Sequence, residues 1–115
     1  MANKVDPKTG VKFDENGFPI FESLFDMNLK PEDYMKSRTT HFERASKALY
    51  AEIQKNPALK SLFTENEIKL FEQGLVPKNY TWHHHQKIGK MQLVDYQTHA
   101  DTWHIGGFSI WGKGN

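Results

Sequence analysis

The chain changes character at Leu75-Val76-Pro77-Lys78-Asn79. Upstream of that break, apolar residues recur three and four positions apart; downstream, aromatic and β-favouring residues crowd two short runs divided by a glycine turn. A chain of 115 residues has room for one modest core, so both halves have to share it. The pattern therefore predicts one α+β domain over residues 1–115, a helical scaffold carrying a hairpin. Eight Phe, four Tyr and three Trp supply the bulk of that core, and so many aromatics are foreign to a disordered segment. The absence of cysteine excludes disulfides and every thiolate zinc site, leaving histidine, carboxylate and water as the only metal ligands. Apolar runs such as Gly17-Phe18-Pro19-Ile20-Phe21 fall far short of the roughly 18 residues of a membrane span.

Residues 1–30 hold Asp6-Pro7-Lys8-Thr9-Gly10 and Asp14-Glu15-Asn16-Gly17, turn chemistry that predicts an extended arm whose Phe13, Phe18, Phe21 and Phe25 pack on the helices. Residues 31–75 read as the helical scaffold. Pro31-Glu32-Asp33 suits a helix start, and Thr40 and Glu43 fit a capping box ahead of Phe42, Ala45, Leu49 and Ile53, a helix expected to run to about Lys55. Asn56-Pro57 stops it and caps a short turn bearing Leu59 and Leu62. Thr64 and Glu67 form a second capping box before Ile68, Leu70 and Phe71, with Gly74 placed for a left-handed cap. His41, beside Glu43, reads as a surface residue with an ordinary hydrogen bond.

Past the break, Tyr80-Thr81-Trp82-His83-His84-His85 and Met91-Gln92-Leu93-Val94 predict two strands joined through Ile88-Gly89-Lys90. A short helix from Asp95 to His104 follows, ended by Gly106-Gly107. Trp82, Trp103 and Trp111 read as packing residues rather than base-stacking platforms. Five of the six histidines lie between 83 and 104. Strand alternation sends His83 and His85 to one face and His84 to the other, while His99 and His104 approach from the helix. Two or three imidazoles suit zinc, nickel, iron or, with help, manganese, and leave positions open for water and substrate; the cofactor expected is one divalent ion, zinc, magnesium, nickel or manganese. Fifteen basic residues against fourteen acidic ones give a net charge of +1, so no global basic field draws in a polyanion. A metal among the histidines would supply that charge locally, with Lys87, Lys90 and Lys113 as candidate phosphate contacts.

Thr81-Trp82-His83-His84-His85-Gln86, the glycine turn, Met91-Gln92-Leu93-Val94, His99 and His104-Ile105-Gly106-Gly107 resemble, in order and spacing, the WHH branch of the HNH and endonuclease VII nuclease superfamily. Its members are mostly C-terminal toxin domains of bacterial polymorphic toxins. Phe13-Asp14-Glu15-Asn16-Gly17-Phe18-Pro19 resembles the lead-in to such domains. The resemblance implies a ββα-metal (His-Me finger) motif over 80–112, with one divalent ion between hairpin and helix. It makes His83 a ligand, His84 the general base, His99 a second ligand, and His104 a third ligand or a phosphate contact. The shifted assignment, with His84 on metal and His85 as base, stays open. Trp82, Gln86, Gln92 and Asp95 become supporting residues. No Asn lies between Thr81 and Lys113, so Gln92, Asp95 or Gln97 would take the place of the HNH asparagine. The function implied is a metal-dependent endonuclease toxin of interbacterial competition, with DNA preferred. An RNase on the same site and a non-catalytic metal-binding or adaptor module are the alternatives. The implied partners are nucleic acid, a cognate immunity protein and a larger secreted carrier polypeptide, with action in the target-cell cytoplasm.

Overall fold

Asp14 folds the arm back on itself: its carboxylate accepts from the backbone N–H of Asn16 and Phe18, both at 2.9 Å, and Gly17 takes the left-handed conformation that completes the turn. Strands β1 (Lys12–Phe13) and β2 (Pro19–Ile20) pair antiparallel across it. The computed structural model describes residues 2–102, 104 and 106–112. The arm then contributes something the turn chemistry did not predict. β3 (Phe25–Asn28) alternates, with Phe25 and Met27 half-buried and Asp26 and Asn28 exposed, and it joins the main sheet.

That sheet has the order β3-β5-β4 and is antiparallel throughout, with β4 at Tyr80–His84 and β5 at Lys90–Asp95. Trp82 faces Leu93 and His83 faces Gln92 across the hairpin, and Phe25 faces Leu93 from the other side. The central strand β5 buries Met91, Gln92, Leu93 and Val94 in a row, as a strand covered on both faces must.

The longest helix, α1 (Arg38–Ile53), starts earlier than the Thr40 capping box predicts. Ser37 is the N-cap, its hydroxyl accepting from the Thr40 N–H at 3.1 Å, and Glu43 is left to pair with Arg44 at 3.0 Å. The helix also stops at Ile53, short of Lys55. Asn56 caps α2 (Pro57–Lys60). At α3 (Glu65–Glu72) the expected box is complete: Thr64 accepts from Glu67 N–H at 3.2 Å and Glu67 accepts from Thr64 N–H at 2.8 Å. Leu49, Ile53, Phe63 and Phe71 of the helical half pack with Trp82, Met91 and Leu93 of the sheet in one core. Phe25 joins its margin, but Phe21 lies outside this core; it clusters with Val11 and Val94 on the far side of the sheet.

Asp95 caps α4 (Tyr96–Asp101) by accepting from the Thr98 N–H at 2.9 Å. The helix expected to reach His104 ends at Asp101, because Thr102 adopts extended backbone and its hydroxyl is held by the Thr98 carbonyl (2.7 Å) and the Thr9 hydroxyl (2.8 Å). Gly106-Gly107 does not terminate that helix. Gly106 precedes and Gly107 opens α5 (Gly107–Trp111), where a Cβ on Gly107 would collide with the His85 carbonyl. Among the described residues no helix is long and apolar enough to cross a membrane.

Candidate metal centre

Period-two alternation along β4 separates two environments built from the same residue type. On one face His83, 2% exposed, meets His99 of α4 and His104 of the following segment. One ring nitrogen from each lies within 4.8 Å of the other two, and His83 Nδ1 stands 3.1 Å from His99 Nε2. Two nitrogens on a tetrahedral ion at about 2.0–2.1 Å would lie about 3.3 Å apart, so the His83–His99 pair already has the spacing a divalent cation asks for, with a nitrogen of His104 within 4.8 Å of both. His104 Nδ1–H donates to the Thr102 carbonyl at 2.6 Å, which fixes its tautomer and leaves Nε2 with the lone pair a ligand needs. Burial, reinforced by the neighbouring histidines, lowers the pKa of His83 to about 2 and that of His99 to about 4. Both rings are therefore neutral near pH 7, the form that binds metal. Phe21 of the arm packs on all three rings, at centroid distances of 4.8, 5.1 and 5.3 Å.

On the other face His84 is buried against α1 and α5. Its Nε2 lies 3.0 Å from Nδ1 of His41, and His41 Nε2 lies 2.6 Å from the Asp33 carbonyl. His41 is not the surface residue expected from its place beside Glu43; it is completely buried. With Ser37 as N-cap, Arg38, His41, Phe42 and Ala45 lie on one side of the helix, and His41 of that side meets His84 of the hairpin. Burial, then His41 and Arg38, lowers the pKa of His84 to about 3.

β4 is an edge strand, so a cavity beside it can receive side chains from both of its faces. One of about 410 Å³ lies there, lined by His83, His84, His99, His104, Arg38 and Phe108 among others. The Arg38 guanidinium sits 4.6 Å above the Phe108 ring, a cation–π contact that holds in place the one permanently charged cation among the described residues lining the cavity. Sequence reasoning missed Arg38, His41 and Phe21. The first two become visible once Ser37, an equally good cap residue, is given the N-cap position; Phe21 carries no local signal.

The remaining candidates lie elsewhere. His85 Nδ1 accepts from the Lys87 N–H at 3.0 Å, and its carbonyl accepts from Trp111 Nε1–H at 2.7 Å. Lys87 is exposed, and Lys90 pairs with Asp26 at 3.6 Å. Gln86 donates to Asp14 (3.1 Å), Gln92 to Asp26 (3.2 Å) and Gln97 to Asp101 (2.8 Å), while Asp95 is the helix cap. Gln86 and Gln92 thus tie the hairpin to the arm, Asp95 holds the start of α4, and Gln97 makes an exposed contact along α4. Trp82 is a core residue, 1% exposed, whose indole N–H donates to Ser46 at 2.9 Å. Trp103, Ile105 and Lys113 lie outside the described residues.

No curated protein and no solved structure matches the chain. A family model does: that of the DNase/tRNase domain of colicin-like bacteriocins matches residues 11–106, a span running from β1 through all six histidines to the start of α5. The chain belongs to this family and is a nuclease toxin domain.

Proposed function

We propose that the domain hydrolyses phosphodiester bonds of DNA at a ββα-metal centre of the WHH type, with His83, His99 and His104 as metal ligands and His84 as general base. The observation that carries this reading is the convergence of three imidazoles, their donor nitrogens within 4.8 Å of one another, on a cavity that His84 also lines. A bound divalent ion supplies Lewis-acid stabilisation of the charge that gathers on the phosphoryl and leaving oxygens.

The chain's own residues do the rest. His84 makes no hydrogen bond through Nδ1 to any described residue, so this nitrogen takes the proton from the attacking water. Burial keeps it unprotonated beforehand, and an anionic phosphodiester in the cavity favours the imidazolium and raises its pKa towards working pH. His85 is the poorer base because its Nδ1 lone pair is already engaged by the Lys87 N–H. Arg38, on the cavity wall, contacts a phosphate oxygen; Lys87 and Lys90, outside the cavity, act at most on flanking phosphates. Attack by external water requires no 2′-hydroxyl, which permits DNA. RNA is the second reading, favoured by the tRNase half of the family description. A cognate immunity protein, a larger secreted carrier and action in the cytoplasm of a target cell complete the proposal.

The test is incubation of supercoiled plasmid and total RNA with the metal-loaded domain, beside EDTA-treated and His84→Ala controls. Nicking of plasmid by the metal-loaded wild type alone is the expected result. Cleavage of RNA alone overturns the substrate assignment. Metal retention without cleavage of either overturns the enzymatic one and favours a metal-binding or adaptor module.

A further inference from the structure

The hydrogen-bond chain behind His84 has a direction. A backbone carbonyl only accepts, so the 2.6 Å contact between His41 Nε2 and the Asp33 oxygen requires a proton on His41 Nε2. In a neutral ring Nδ1 then carries the lone pair, and the 3.0 Å contact to His84 requires that His84 donate through its own Nε2–H. The tautomer of His84 follows: Nε2 protonated, Nδ1 bare. The anchor of this chain is firm. Asp33 closes a 3-10 turn (Pro31–Asp33), its carbonyl also accepts from the Lys36 N–H at 3.0 Å, and its carboxylate is bridged by Arg44 at 3.5 Å. His41 is itself clamped between Trp111 and Phe108, with ring centroids 5.7 and 5.6 Å away.

We infer that His41 is a positioning residue for catalysis: it relays the polarity of the Asp33 carbonyl to His84 and so holds His84 in the single tautomer whose Nδ1 can accept a proton. This rests on His84 being the general base. In the unconstrained ring the two tautomers interchange, and the one with Nδ1–H cannot take a proton at that atom. The same chain serves after proton transfer, because imidazolium Nε2–H keeps its acceptor in His41 Nδ1. Among the described residues no backbone carbonyl accepts from the His84 ring; a histidine from a helix more than forty positions upstream does.

The experiment labels the full chain with ¹⁵N-histidine, strips it of metal with EDTA, and reads the ring nitrogens of wild type, His41→Phe and His41→Gln by NMR. Plasmid cleavage is measured in parallel on the metal-loaded proteins. The wild type is expected to show His84 wholly as the Nε2–H tautomer. His41→Phe, which keeps a ring but loses both nitrogens, should give a mixture of tautomers and lower kcat about 100-fold, with KM for plasmid little changed. Glutamine has one acceptor and one donor spaced much like the two ring nitrogens, so His41→Gln should restore the single tautomer and most of kcat. A wild-type His84 carrying its proton on Nδ1 overturns the inference, as does a His41→Phe protein that folds and retains wild-type kcat. Should His41→Phe fail to fold, the wild-type tautomer and the His41→Gln protein still decide. Full activity in His84→Ala would sink the general-base reading and leave the tautomer result standing, so the two failures are distinguishable.

Discussion

The two faces of β4 carry adjacent residues of one type in opposite surroundings. His83 looks onto two imidazoles whose ring nitrogens converge with its own, under an apolar ring from the arm. His84 looks onto one imidazole that is already committed to a carbonyl, beneath helices α1 and α5. The first arrangement is a set of donors that one cation could share; the second is a hydrogen-bond chain that engages one nitrogen of His84 and leaves the other without a partner among the described residues. What an imidazole does is thus set by what its two nitrogens face, and a single step along a strand changes that completely.

Four measurements would break or sharpen the contrast. The largest effect is expected at the histidines: His84→Ala should lower plasmid cleavage by at least about 100-fold with metal stoichiometry unchanged by calorimetry, whereas His83→Ala or His99→Ala should lose both metal and cleavage. Equal metal loss in all three variants would erase the distinction between the faces. Next comes Phe21→Ala, which uncovers only the His83 side. It should cost about 3 kcal/mol in chemical denaturation and weaken metal binding, yet leave the His84 tautomer intact. Gly107→Ala attacks the other side, pushing α5 off the His85 carbonyl. About 1–3 kcal/mol of stability should be lost, with metal affinity nearly unchanged. The smallest effects concern charge: Arg38→Ala should raise KM for plasmid about tenfold and flatten its salt dependence, while Lys87→Ala, on an exposed turn, should change it less than about twofold.

How much of this could be read beforehand depended on range. The hairpin, the Thr64 capping box and the opposite facing of His83 and His84 are decided by residues a few positions apart, and local chemistry sufficed for them. The start of α1 was a contest between Ser37 and Thr40, both good caps; choosing Thr40 placed His41 near an exposed helix end and hid both it and Arg38. β3 was masked by the turn residues around it, since an Asp and an Asn on its solvent side weaken the strand signal that Phe25 and Met27 give. Phe21 and α5 could not be found locally at all. One is explained only by rings sixty and more positions away, the other by a glycine whose reason is the carbonyl of His85, just past the end of β4.

The order β3-β5-β4 also bears on when the site can exist. A two-stranded hairpin is marginal by itself, and here the third strand comes from near the beginning of the chain, Phe25 meeting Leu93 and Asp26 meeting Gln92. Closing so long a loop costs entropy before any contact repays it. β3 has no partner until β5 is in place, and the histidines of β4 and α4 have no stable sheet beneath them until β3 arrives. The centre therefore depends on a pairing between distant parts of the chain, and a chain cut between the arm and the hairpin loses the covalent link that keeps that third strand at hand.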